Sequence, residues 1–384
     1  MTPVHRVLHA LRECGPVLGK AAAGGNLRVV RSMLGPAWRG LVLKRGRDEP
    51  NTRMSVRHEA DFNWSYSHDH PEMKRLFGHA KRGQWDADER LDWTINVDPD
   101  DPERPLLPDD YLPMSTLPSW RKLDRARQSE IRRSVLSWLL SQFLHGEQGA
   151  LYAAAQVTQA VPWHDGKLFG STQVVDEGRH VEVFHRYLAE KLGKVYEIND
   201  NLYVIIDSLM GDSRWDVKFL GMQIMIEGLA LGAFGSLRQV SAEPLVRDLL
   251  GAVITDEARH VHYGVLALQE VYSGGLSERE RREREDWAFE LSMLLRDRFL
   301  MHEIYDEYYG HEMSRAAWDR LIMESRFMDL FRKTMFKRVI PNLRRIHLLS
   351  DRIRPRYGEL GLLEFAEGRA APDLSAEDLL ADAA

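Results

Sequence analysis

Glu147, Glu177, His180, Glu227, Glu257 and His260 form one pattern written twice. Glu147 precedes Glu177 by 30 positions, Glu227 precedes Glu257 by the same 30, and each second Glu is followed three residues later by His. Residues i and i+3 share a helix face, so each Glu-x-x-His can present a carboxylate and an imidazole to one point. A lone Glu from a neighbouring helix completes each half. Four carboxylates and two imidazoles so disposed are the ligand set of a dinuclear iron site, and they require four helices packed with these residues inward.

The lone glutamates keep apolar company. Leu140, Leu144, Leu151 and Ala154 flank Glu147 at the same offsets at which Leu220, Ile224, Leu231 and Phe234 flank Glu227, along one helical stripe in each case. Ionised Glu rarely occupies a core-facing stripe unless it is paired or binds a metal. Four carboxylates against two divalent irons sum to zero charge, and Glu/His ligation with open positions suits iron or manganese more than calcium. A single Glu-x-x-His is usually a surface pair. Two of them, each preceded at 30 residues by a Glu on an apolar stripe, argue for a metal role.

Composition sets the remaining bounds. With 384 residues, 44% hydrophobic and 29% charged, the chain is ordinary globular material. No apolar run approaches the roughly 20 residues of a membrane span, and no apolar signal core opens the chain, so a cytoplasmic protein is expected. The single cysteine, Cys14, excludes an internal disulfide and a Cys-ligated zinc or iron–sulfur site. Electrons for redox chemistry must then come from outside. A net charge of −6 gives no sign of a nucleic-acid partner. Residues 1–50 are locally basic (Arg6, Arg12, Lys20, Arg28, Arg31, Arg39, Lys44, Arg45, Arg47) among Leu8, Leu11, Val29 and Leu43. They read as a solvated helix packed on the main body, with membrane-surface contact as the weaker alternative.

Caps and breakers divide the rest. One long helix is expected over 124–161, closed by Val161-Pro162, and a second over about 167–192, ended by Gly193. A short helical stretch falls near 202–209. A third helix covers about 215–240, and a fourth runs from Ser241 and Pro244 to about 272, where Gly274-Gly275 stops it. Strand signals are scarce, so the expected fold is all-α: a four-helix bundle with a long crossover between its second and third helices, plus N- and C-terminal accessory helices, the latter at about 277–309 and 312–340. The stretch 97–118 holds six of the 16 prolines and reads as an extended connection. This gives an accessory segment and connection at 1–118, the bundle at 119–275, C-terminal helices packing on it at 276–366, and a frayed acidic tail at 367–384.

Asp176-Glu177-Gly178-Arg179-His180 and Asp256-Glu257-Ala258-Arg259-His260 are two copies of Asp-Glu-x-Arg-His. In these boxes the chain resembles the ferritin-like non-haem diiron carboxylate proteins, in particular the oxygen-activating branch that includes bacterial multicomponent monooxygenases and acyl-carrier-protein desaturases. The likeness spans about residues 124–272. The run His145-Gly146-Glu147-Gln148-Gly149 followed by the two boxes is similar to a broad bacterial group of uncharacterised ferritin-like proteins.

The resemblance implies Glu147, Glu177 and His180 on one iron and Glu227, Glu257 and His260 on the other, with one carboxylate in each half able to bridge. It implies Asp176 and Asp256 holding the ring N–H of a ligand His, and Arg179 and Arg259 pairing with those aspartates. It also implies two Fe ions or a Mn/Fe pair, dioxygen as co-substrate, and an external ferredoxin or reductase. The substrate would be a small apolar or carrier-bound molecule that is hydroxylated, desaturated or N-oxygenated. The alternative is a ferroxidase or iron-handling protein without an organic substrate, against which the long accessory segments count; a homodimer is left open. Two departures stand out. Relatives commonly place Thr one turn after the third-helix Glu, where this chain has Ala230 and Leu231. Arylamine N-oxygenases carry an extra His one turn before the last ligand Glu, where this chain has Val253.

Other residues read more plainly. His145 and His262 stand two positions from ligand candidates and should point away from them. Gly228, Gly232 and Gly235 form a small-residue stripe that suits close helix packing more than a cavity floor. Tyr152, Tyr187 and Tyr263 read as structural. Ser277 and the alternating charges through Glu285 read as a capped, solvated helix start.

Overall fold

A computed structural model describes residues 27–45, 51–98, 101 and 103–382, and no strand occurs among the described residues. The helices α1 (Leu27–Ala37) and α2 (Pro71–Arg82), with a single turn at Ala87–Arg90, precede the four that carry the motif. Asp124 caps α3 (Arg125–Ala160) by accepting from Arg127 N, and Pro162 closes it. α4 (His164–Arg186) follows after three residues, too short a link for anything but an antiparallel hairpin. It widens into a π-turn at Tyr187–Leu192 and ends on Gly193 at φ 65°. α5 (Asp200–Gly211) lies within the crossover to α6 (Trp215–Val240). Glu243 then caps α7 (Pro244–Gly274) by accepting from Leu245 N and Val246 N. α3 packs on α4 and α6, and α7 packs on α6 and α4, so the four form a closed cycle.

The accessory helices share this core. α2 lies on α4 and α7, and α1 on α5. After the Ser277–Glu280 capping box, α8 (Glu278–Asp297) covers α5 and the first half of α6, and α9 (Arg326–Arg345) covers the second half. Buried apolar side chains from Val29 to Leu379 form one continuous cluster. α6 is long and apolar enough to cross a membrane, contrary to the reading that no run approaches a span. Yet 94% of its most apolar window is buried in protein, as suits a core helix.

Three further expectations change. The 97–118 stretch is irregular but not a free connection: Leu106, Leu107, Leu112 and Met114 are buried between its prolines, next to or within the short 3₁₀ turns Asp109–Tyr111 and Pro113–Thr116. Within the described part of the tail, Ala376–Asp382 forms a helix that packs on α7 and buries Leu379 despite the acidic composition. The helix expected over 277–309 breaks after α8, where Met301 adopts φ 52°. Of the basic N-terminal set, Arg39 donates to Asp207 at 2.7 Å and Arg28 to Glu283 at 3.3 Å, which ties that part to the body. Arg6, Arg12, Lys20, Arg47 and Cys14 lie outside the described residues.

In the glycine stripe of α6, Gly232 serves close packing. A Cβ on Gly232 would lie 2.6 Å from Met335 Cα and 2.7 Å from Met335 N, backbone atoms of α9 that cannot rotate away. Gly232→Ala should therefore destabilise the protein by about 1–3 kcal/mol. Gly228→Ala, whose Cβ would meet nothing nearer than Val339 at 3.6 Å, should gain up to about 1 kcal/mol from helix propensity. Denaturant midpoints of the two variants check the contrast.

Candidate metal centre

Helical spacing turns all six acidic and imidazole side chains inward, and each is at least 95% buried. They gather as two overlapping groups whose ligand atoms lie within 4.8 Å of one another. Glu147, Glu177, His180 and Glu257 form the first, and Glu177, Glu227, Glu257 and His260 the second. Glu177 and Glu257 belong to both, which makes them the carboxylates able to bridge two ions. Glu147 and Glu227 each serve one group.

The contacts inside the cluster are those of ligands around common centres. His180 Nδ1 lies 3.1 Å from Glu257, 3.2 Å from Glu147 and 3.4 Å from Glu177, and His260 Nδ1 lies 3.1 Å from Glu177 and 3.4 Å from Glu257. Even so, Glu177 Oε2, Glu227 Oε2, both oxygens of Glu257 and His260 Nδ1 make no hydrogen bond among the described residues. Buried polar atoms are seldom left so, and donor atoms converging without partners fit divalent cations.

A second layer fixes the imidazoles, and it is crossed. His180 Nε2 meets Asp256 Oδ2 at 3.2 Å and His260 Nε2 meets Asp176 Oδ2 at 3.2 Å, so each sequence box orients the histidine of the other. An Nε2–H donated to a carboxylate leaves the Nδ1 lone pair facing the cluster. Arg179 donates to Asp176 at 2.6 Å and to Asp256 at 3.0 Å, and Arg259 reaches both aspartates as well. α2 and its following turn complete this layer. Gln84 donates to Asp176 at 2.7 Å, Trp85 Nε1 donates to Asp256 at 2.9 Å, and the Trp85 ring lies 4.5 Å under the Arg179 guanidinium. The sequence reading missed Gln84 and Trp85, which nothing local connects to the boxes.

The two ends of the centre differ. On one, Phe143, four before Glu147, meets Phe234 edge to face at 4.8 Å, and Phe184, four after His180, stands 5.7 Å from Phe234; together they make an apolar plug. On the other, Gln173 donates to Glu177 at 3.2 Å and to Glu227 at 3.0 Å. The sequence reading missed this residue too, although it stands four before Glu177. Glu227 itself follows a π-helical turn, Leu220–Ile226, a distortion often found at functional sites. Compared with known proteins, the chain matches no family model and no curated sequence. The bystanders lie elsewhere: His145 bonds Tyr196 O on the far face of α3, Tyr263 donates to Gly166 O, Tyr187 to Glu243, and Tyr152 is exposed.

Charge in the metal-free cluster is held by protons. Burial opposes protonation of His180, but the carboxylates of Asp256, Glu147, Glu177 and Glu257 around its ring outweigh that and raise its pKa well above 6.5. His260 is raised likewise against burial, by Glu177 and Glu257. Burial, reinforced by neighbouring carboxylates, also pushes Glu147 and Glu227 well above the usual range. Burial would raise Glu177 too, but His260 and His180 hold it far below. A raised imidazole pKa stabilises the fold fully below the unfolded value and loses that contribution as pH climbs through the folded value. Raised carboxyls act in the same direction. The metal-free protein should thus lose melting temperature on the alkaline side of neutrality. Divalent metal affinity should rise over that range because binding releases these protons. Melts and metal titrations from about pH 6 to 8 measure both slopes.

Proposed function

We propose that the chain is a ferritin-like non-haem diiron oxygenase that oxidises a small apolar or carrier-bound organic substrate, with electrons from an external ferredoxin or reductase. The observation that carries this reading is the buried pair of overlapping Glu/His groups sharing Glu177 and Glu257, with ligand atoms left free of hydrogen bonds. α3, α4, α6 and α7 would be the four ferritin-like helices, with α5 in the crossover. An iron pair bound there would supply the activation of dioxygen. Glu147 and His180 would serve one ion, Glu227 and His260 the other, and Glu177 and Glu257 both. The protein's own part is geometric and electrostatic. Asp176 and Asp256 fix the imidazole tautomers, Arg179 and Arg259 balance the aspartates, and the Phe143–Phe184–Phe234 plug keeps water from one end. The segments before and after the bundle favour an organic substrate over iron handling, since storage shells use compact bundles whereas here accessory helices pack on α4, α5, α6 and α7.

Metal analysis and oxygen consumption test this together. The iron-loaded, anaerobically reduced protein should hold about two irons per chain and consume oxygen, and Glu147→Ala and His260→Ala should lose both properties in part or whole. Absence of stoichiometric iron, or iron uptake indifferent to these substitutions, would overturn the reading. Many irons sequestered per chain would favour iron handling instead.

A further inference from the structure

Gln223 is fully buried, yet neither Nε2 nor Oε1 of its amide has a partner among the described residues. It lies in the π-turn of α6, four residues before Glu227 and on the same face. Its Cβ sits where a Cβ on Gly264 would come within 2.5 Å, and Gly264 is four residues after His260 on α7. Gln223 therefore occupies the level next to the metal ligands, at the end away from the phenylalanine plug. Gln173 stands at the same end: it is 1% exposed, its Nε2 is spent on Glu177 and Glu227, and its Oε1 is also unpartnered. Two buried amides flanking Glu227 thus carry three unmatched polar atoms between them, and Glu227 Oε2 adds a fourth.

Packing does not account for this. A Leu or Met would fill the Gln223 position of an apolar stripe without burying a donor and an acceptor, and a buried amide left unmatched destabilises a fold. An amide offers both N–H and C=O, which suits water, hydroxide or a small carboxylate and not a hydrocarbon. We infer that Gln223, together with Gln173, holds a water-sized oxygen ligand of the metal pair on the Glu227 side. The inference rests on the diiron reading above. It assigns a positioning role: Gln223 Nε2 donates to an anionic ligand atom, its Oε1 accepts from a protonated one, and Gln173 ties that site to Glu177 and Glu227.

The test uses the full-length protein loaded with cobalt(II) and titrated with azide, followed by visible absorption, in the parent and in Gln223→Met. The substitution keeps an unbranched side chain of similar size and removes only the amide. Cobalt content should be equal in the two proteins, and azide affinity in the variant should fall about tenfold, the loss of one hydrogen bond to a charged ligand. The metal-free variant should melt no lower than the metal-free parent, because the amide it loses satisfies nothing in the fold. Equal azide affinity at full cobalt load, no azide response in the parent, or a lower melting temperature of the metal-free variant would each overturn the inference while leaving the metal centre standing. A parent that takes up no cobalt would overturn the diiron reading and this inference with it.

Discussion

Glu177→Ala and Glu257→Ala are each expected to abolish binding of both metal ions, whereas Glu147→Ala and Glu227→Ala should each leave one ion bound. The contrast comes from membership. Glu177 and Glu257 lie in both ligand groups, and the other two carboxylates lie in one each. Removing a shared carboxylate would take an oxygen from both groups at once, leaving each with three of its four members and the whole site with three carboxylates and two imidazoles. Removing a private one leaves the other group intact with Glu177, Glu257, a further Glu and a His. Structural metal sites contribute roughly 10 kcal/mol or more of binding free energy, so losing a ligand should be visible as stoichiometry and not as a small change in affinity. Metal content after dialysis against a weak chelator separates the outcomes at about zero, one and two ions per chain. Four carboxylate variants that all retain one ion, or all lose both, would contradict the sharing of Glu177 and Glu257. The stability effect in the metal-free protein runs the other way. Glu147→Gln and Glu227→Gln should cost little there, because burial already favours the neutral carboxyl at both positions.

How much of this can be read in the sequence depends on the range of the interaction. The six ligand candidates are legible because helical periodicity alone puts i, i+3 and i+4 on one face and the pattern repeats, while the aspartates and arginines beside them are implied by the resemblance of the two boxes. Which carboxylates are shared is not legible, since it depends on how far α4 and α7 are offset along their axes. The crossed pairing of Asp176 with His260 and Asp256 with His180 depends on the same offset. Gln84 and Trp85 enter from a segment about 90 residues upstream of the first box, and only the packing of α2 on α4 and α7 brings them there. Gln173 and Gln223 left a signal that was overlooked: each is a polar residue four positions before a ligand Glu, on a stripe otherwise apolar. The π-turn before Glu227 has no local signature, because widening one turn is decided by what packs on it. The C-terminal segment shows composition misleading: Ala376–Asp382 forms a helix that buries Leu379 within an acidic stretch.

Asp256→Ala should both unfold the protein more easily and weaken the ion held by the first box, although Asp256 belongs to the second. Its carboxylate accepts from His180, Arg179, Arg259 and Trp85, and it is 1% exposed. Burial works against its ionisation, but His180 and the two guanidinium groups hold its pKa well below the usual carboxylate range. The side chain is therefore charged at neutral pH, and with Asp176 it balances Arg179 and Arg259 one for one. Deleting it leaves two guanidinium groups sharing a single buried carboxylate, and breaking a buried pair in this way typically costs about 3–5 kcal/mol. Released from its acceptor, the His180 ring can turn or change tautomer, and the loss of such a support lowers metal affinity about 10–100-fold. Asp256→Asn keeps an acceptor near the guanidinium groups but loses the charge, so it should fall between the parent and Asp256→Ala on both scales. Combination with the carboxylate variants locates the damage. Asp256→Ala joined to Glu147→Ala should remove no more metal than Glu147→Ala alone, because both act on the ion beside His180. Joined to Glu227→Ala, it should strip the site, since each change then acts on a different ion. The opposite order of effects would mean that each Asp supports the histidine of its own box, against the 3.2 Å contacts that cross between α4 and α7.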